Sequence, residues 1–178
     1  MKHIFLILFL LPFVLIAQSV EEGKKVIYLM AEYGLRKGHN GLEIYTMIEV
    51  PSNVILADQF AKVFNGFSIG SNDLTQLTLG LDRDSELVSG LFNENNEAIT
   101  RQVSHVIKAA KKNRIKIGFC GQAPSDFPEF AQFLVEEGID SISFISDAII
   151  KGIENINVAE TRKKNNHLIK MLPKLIFK

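Results

Sequence analysis

Cysteine is almost missing from this chain: 178 residues hold one, Cys120. A single thiol cannot close an internal disulfide, so the fold does not rest on oxidation. An excess of either charge is missing too. Twenty Lys plus Arg stand against twenty Asp plus Glu, a formal net charge of zero. Charge therefore gives no reason to expect a nucleic-acid partner. Histidine is sparse and scattered (His3, His39, His105 and His167), with no metal-ligand spacing. What is present is ordinary for a globular protein, 47% hydrophobic and 22% charged, and long enough for one domain with a sizeable core.

The one long apolar run is Ile4 to Ala17, broken by Pro12 and preceded by Lys2 and His3. Residues 1–19 therefore read either as a signal-like segment or as a first buried strand. From residue 20 the chain alternates helix and strand. A helix is expected over 20–38, capped by Ser19 with Glu21 and Glu22 in its first turn. A strand follows over 42–50, then a helix from Ser52 to Phe64 behind Pro51. A short buried strand around Ser68 comes next. Beyond it are expected a short helix over 85–92, a long one over 95–113, a strand over 115–119, a helix ending at Gly138 and a strand over 141–145. A last helix starts near Asp147, and 159–178 read as a weakly packed tail. Such alternation argues parallel βα units. Four or five such units are too few for a whole eight-unit barrel, which needs about 250 residues. The fold class expected is α/β, the second half of a (β/α)8 TIM-type barrel with parallel strands.

The chain is organised around Phe67-Ser68-Ile69-Gly70-Ser71-Asn72-Asp73-Leu74-Thr75-Gln76. Its first half is apolar and its second half polar, with Gly70 as the pivot and Gly expected there for the turn. Asn72 and Asp73 then stand at the C-terminal end of a strand, the catalytic face of an α/β barrel. A carboxylate there can hold a hard cation; equally, Asp or Asn there can cap a helix. Two other strand ends carry reactive groups. Glu49 closes an otherwise apolar strand, where a simple cap or surface salt bridge is less comfortable. Cys120 sits where a strand gives way to a Gly-containing loop, although a lone Cys is often just a small buried hydrophobe. Arg83, between Asp82 and Asp84, is either a surface ion pair or an anion clamp.

Together, Met47-Ile48-Glu49-Val50-Pro51-Ser52, Gly70 to Gln76, Leu81-Asp82-Arg83 and Cys120-Gly121-Gln122 closely resemble the C-terminal barrel of the phosphoenolpyruvate-utilising enzymes. The likeness runs from about residue 20 to 157, and 20–158 is taken as the partial-barrel domain. The resemblance implies Mg²⁺ as cofactor with Glu49 and Asp73 as ligands. It implies pyruvate or phosphoenolpyruvate bound by Glu49, Gly70, Ser71, Asn72, Asp73 and Arg83, with Cys120 exchanging the proton at the substrate's methyl or methylene carbon. It also implies a parent reaction that turns ATP, pyruvate and water into phosphoenolpyruvate, AMP and phosphate. That reaction uses an ATP-grasp domain and a phosphohistidine domain that this sequence does not contain, in a homo-oligomer. A cytoplasmic location follows from those substrates and from the need for a reduced thiol; export is the alternative if residues 1–17 act as a signal. A chain of this extent is expected to be inactive alone. Its open sheet edges and apolar barrel interior are expected to make it prone to pairing. Two other readings remain: a non-catalytic relict or binding module of the same barrel, and a Mg²⁺-dependent aldolase or lyase on a related one.

Overall fold

The computed structural model describes residues 17, 19–82 and 85–176. The expectations for residues 1–16, signal or strand, lie outside the described residues.

The chain runs α1 (Val20–Glu32), β1 (Tyr45–Ile48), α2 (Pro51–Ile55), α3 (Ala57–Phe60), β2 (Gly66–Gly70), α4 (Ser71–Leu79), α5 (Glu97–Asn113), β3 (Lys116–Cys120), α6 (Ala123–Asp126), α7 (Pro128–Glu137), β4 (Ser141–Ile142) and α8 (Ile149–Ile176). The four described strands form one sheet in the order β1-β2-β3-β4, and every pairing is parallel. Sheet order that follows chain order is the winding of successive barrel units; a doubly wound sheet would reverse at a switch point. The chain is a partial (β/α)8-type barrel.

Side chains alternate across each strand. Ile48, Phe67, Ile69, Ile117 and Phe119 point to the helical side. There they share one core with Phe60, Ile99, Val103, Ile107, Phe130 and Leu134. Each fully buried Phe or Ile contributes about 1.5–3 kcal/mol. The other set, Tyr45, Met47, Glu49, Gly66, Ser68, Gly70, Lys116, Gly118, Cys120 and Ser141, faces the concave side. That face is less apolar than the expected interior: Tyr45 and Met47 stand on it among small and polar residues, and the larger apolar cluster lies under the helices.

Local chemistry sets most boundaries. Ser19 and Glu22 form a reciprocal capping box on α1. That helix stops at Glu32, short of the expected residue 38, because Gly34 and Gly38 take positive φ. The helix expected over 52–64 is two short pieces that change direction at Leu56. Between residues 85 and 92 there is only a 3-10 turn, Ser89–Leu91. Asp126 ends α6, and Phe127 is the N-cap of α7. α5 starts behind the Asn96 cap. The expected tail from residue 159 is instead continuous with α8: Ala159 is buried, and the Lys163 ammonium donates to the Val135 carbonyl at 2.6 Å. Among the described residues no helix is long and apolar enough to cross a membrane.

Candidate active site at the strand ends

Parallel strands in register bring their C-terminal ends to one pole. Ile48 pairs with Ile69, so Glu49 emerges beside Gly70, and Gly70 pairs with Cys120. The loop carrying Glu49 is held from behind by Asn53, which is fully buried. Its side-chain oxygen accepts from the Glu49 and Val50 amides at 3.4 Å each, and its amide group donates to the Ala17 carbonyl at 2.7 Å. Leaving such buried groups unpaired would cost about 1–3 kcal/mol.

Gly70 has φ −92° and ψ 85°, a backbone open to other residues. Its need for glycine is therefore not the turn expected from sequence but close approach. A Cβ there would lie 2.5 Å from Glu49 Cγ and 2.6 Å from its Oε1. The Glu49 side chain crosses the end of β2 toward the first turn of α4, which carries Asp73. Burial pushes the Glu49 carboxyl up, and the Asp73 carboxylate pushes it further. Burial likewise raises the Cys120 thiol, and the Glu49 charge adds to it, so the thiol is held in its protonated form. Glu49 thus lies within electrostatic reach of Asp73 on one side and of Cys120 on the other.

The other expected residues divide. Asn72 lies in the same first helical turn, and its buried side-chain oxygen has no hydrogen-bond partner. Neither Asn72 nor Asp73 makes the expected cap, because the N-cap position is Gly70 and no side chain bonds there. Ser71, in the same turn, is fully buried and its hydroxyl donates to Glu94. What Ser71 can offer a ligand is backbone, not hydroxyl. Arg83 lies outside the described residues. Glu94, itself buried, was not expected to matter. It stands 23 residues from Ser71 in a polar run that reads as a loop, and no local spacing flags it.

Among the described residues no three His, Cys, Asp or Glu side chains gather as a metal cluster. The Glu49–Asp73 pair still fits Mg²⁺, a hard cation commonly held by one or two carboxylates with water and substrate oxygens completing the shell. A dication between them would relieve the charge that Asp73 sets against the Glu49 carboxylate.

The family described as PEP-utilising enzyme, PEP-binding domain matches residues 3–160. The chain belongs to the phosphoenolpyruvate-utilising enzyme family. Within it, the chain is 61% identical to the phosphoenolpyruvate synthase of Aquifex aeolicus over 155 residues, 87% of this chain. It is 60% identical to that of Synechocystis over 153 residues, 86% of this chain. In both cases it spans only 18% of the relative's length. Among solved structures, RipC from Yersinia pestis superposes with a TM-score of 0.52 at 14% identity, covering 80% of this chain and 59% of RipC. At that identity the likeness concerns the fold alone. The family's matched region takes in the apolar run that also reads as a signal, and ends inside α8.

Proposed function

We propose that this chain is the pyruvate- and phosphoenolpyruvate-binding part of a phosphoenolpyruvate synthase. The parent enzyme would convert ATP, pyruvate and water into AMP, phosphoenolpyruvate and phosphate, the gluconeogenic direction. The observation that carries the reading is Glu49 laid over Gly70 toward Asp73, with Cys120 on the adjacent strand. Glu49 and Asp73 would hold Mg²⁺, which when bound supplies positive charge to an enolate oxygen. Asn72 offers an unspent acceptor, and the amides of the first turn of α4 point toward the same pole. Arg83 would contact phosphoryl or carboxylate oxygens. Cys120, held protonated, suits delivery of a proton to the enolate carbon in the pyruvate-forming direction; in the forward direction its thiolate would have to take the methyl proton.

Phosphoryl transfer from ATP also needs a nucleotide site and a phosphate-carrying histidine. We assign those to the remainder of the parent enzyme, since the relatives are more than five times longer than the matched region. A cytoplasmic location fits the substrates and a thiol that must stay reduced. The purified chain should bind oxalate or phosphoenolpyruvate weakly, only with Mg²⁺, and lose that binding in Asp73→Ala. Given ATP, Mg²⁺ and pyruvate it should release no AMP. Sustained AMP release that depends on Cys120 would overturn the assignment of parts. Mg²⁺-independent binding, or none at all, would favour a non-catalytic module.

A further inference from the structure

The buried acid Glu94 has no place in the reading above, yet it touches both halves of the site. Glu94 is 5% exposed and Ser71 is 0% exposed. The Ser71 hydroxyl donates to Glu94 Oε1. Ser71 opens α4, so it fixes the turn that carries Asn72 and Asp73. On the far side of the same hydrogen bond lies Gly121, the residue after Cys120. A Cβ at Gly121 would collide with Ser71 Oγ and stand 3.1 Å from Glu94 Oε1. Three segments distant in sequence therefore meet at one buried polar contact: the start of α4, the turn after β3, and the stretch before α5.

We propose that Glu94 is a positioning residue: through Ser71 and against Gly121, it locks the Asn72–Asp73 turn to the Cys120 turn. A fully buried hydroxyl bonded to a buried carboxylate has few alternative geometries, since breaking it leaves a polar group without water. The backbone of Gly121 packs on that bond, so its placement follows the bond's placement. The inference rests on the proposed function for its catalytic meaning, but its geometry does not depend on it.

Because Cys120 is the sole cysteine, its alkylation reports one site. The test uses the full chain at one fixed pH, below each variant's unfolding temperature, with iodoacetamide and with oxalate binding in Mg²⁺ as paired readouts. Ser71→Ala should change the alkylation rate several-fold, although residue 71 lies on a different strand-helix turn from the thiol. Glu94→Leu should do the same. Glu94→Gln, whose amide oxygen can take the same hydrogen bond, should stay within about twofold of the parent. In a Ser71→Ala background, Glu94→Leu should add little, as expected for two groups that act as one unit. Full additivity of Ser71→Ala and Glu94→Leu would overturn the proposal, as would Glu94→Gln proving as damaging as Glu94→Leu. Where Glu94→Leu does not fold, Ser71→Ala decides alone, and an unchanged alkylation rate refutes the role. If even the parent fails to bind oxalate, the functional reading falls while the alkylation arm still decides the positioning role.

Discussion

Replacing Gly70 by alanine should abolish ligand binding while sparing the fold. The new Cβ would lie 2.5, 2.6 and 3.0 Å from Glu49 Cγ, Oε1 and Cδ, where ordinary contact begins at 3.4 Å. Glu49 must therefore retreat by roughly 1 Å, enough to cost about a hundredfold where a group must meet its ligand in register. The backbone itself raises no objection, because φ at Gly70 is −92°. Glu49 is only partly buried, so its side chain can rotate outward instead of straining the core. The stability change should stay within about 1 kcal/mol, below the usual cost of overpacking a core. The assay is titration calorimetry of oxalate with Mg²⁺, paired with thermal unfolding of the same samples. Gly121→Ala makes the internal contrast, since its clash falls on the fully buried Ser71, and it should lower stability as well as binding. If Gly70→Ala bound Mg²⁺ and oxalate as tightly as the parent, Glu49 would not be a ligand and the site as drawn would be wrong.

Two further outcomes follow from charge. Glu49→Gln removes one of the two causes that raise the Cys120 thiol, leaving burial alone. The thiolate then forms at lower pH, so alkylation at neutral pH should speed up and its pH profile move toward acid; a profile moved toward alkali would contradict the assigned coupling. At Asp140, burial pushes the carboxyl up, but hydrogen bonds from Lys111 and the Ile117 amide outweigh it and hold the group below its ordinary 3.8. A depressed acid contributes stability above its unfolded value that is lost as pH falls through its folded one. Asp140→Asn should therefore cost about 1 kcal/mol at neutral pH by urea unfolding, with the gap from the parent closing in acid; a gap that widens in acid would refute the coupling.

Much of the fold could be read because its signals are local. The face of α5 was legible from spacing alone: Ile99, Val103, Val106, Ile107 and Ala110 are all buried. The strand around Ser68 and the strand ends at Glu49 and Cys120 were legible because a polar or reactive residue interrupts an apolar run. Elements that depend on distant partners were not. Tyr33 shares a helical stripe with Ile27 and Met30, yet it is 81% exposed. α1 makes its closest approach to the core at Gly23, against the Phe64 ring, and stops before Tyr33. The break at Leu56 was illegible because the apolar spacing runs on through it, and the inward turn of Asn53 was hidden because the carbonyl it meets, that of Ala17, lies 36 residues away. Glu94 was missed for the same reason, since nothing beside it in sequence announces the hydroxyl it meets.

The glycines of the concave face explain why the site takes its shape. A Cβ at Gly66 would run into the Tyr45 ring, one at Gly70 into Glu49, and one at Gly118 into the Ser141 hydroxyl. Each glycine marks a place where a neighbouring strand's side chain lies across the sheet instead of standing up from it. On a closed barrel such side chains would fill the interior in layers. At the upper layer the occupant is a carboxylate instead of a hydrocarbon. Laid across β2, it is brought within electrostatic reach of Asp73 on one side and Cys120 on the other. The same absence of a side chain that lets the strands pack closely thus sets the reach of the acid. A substitution at Gly70 acts on the chemistry through geometry alone, with no change in the charge or identity of any reacting group.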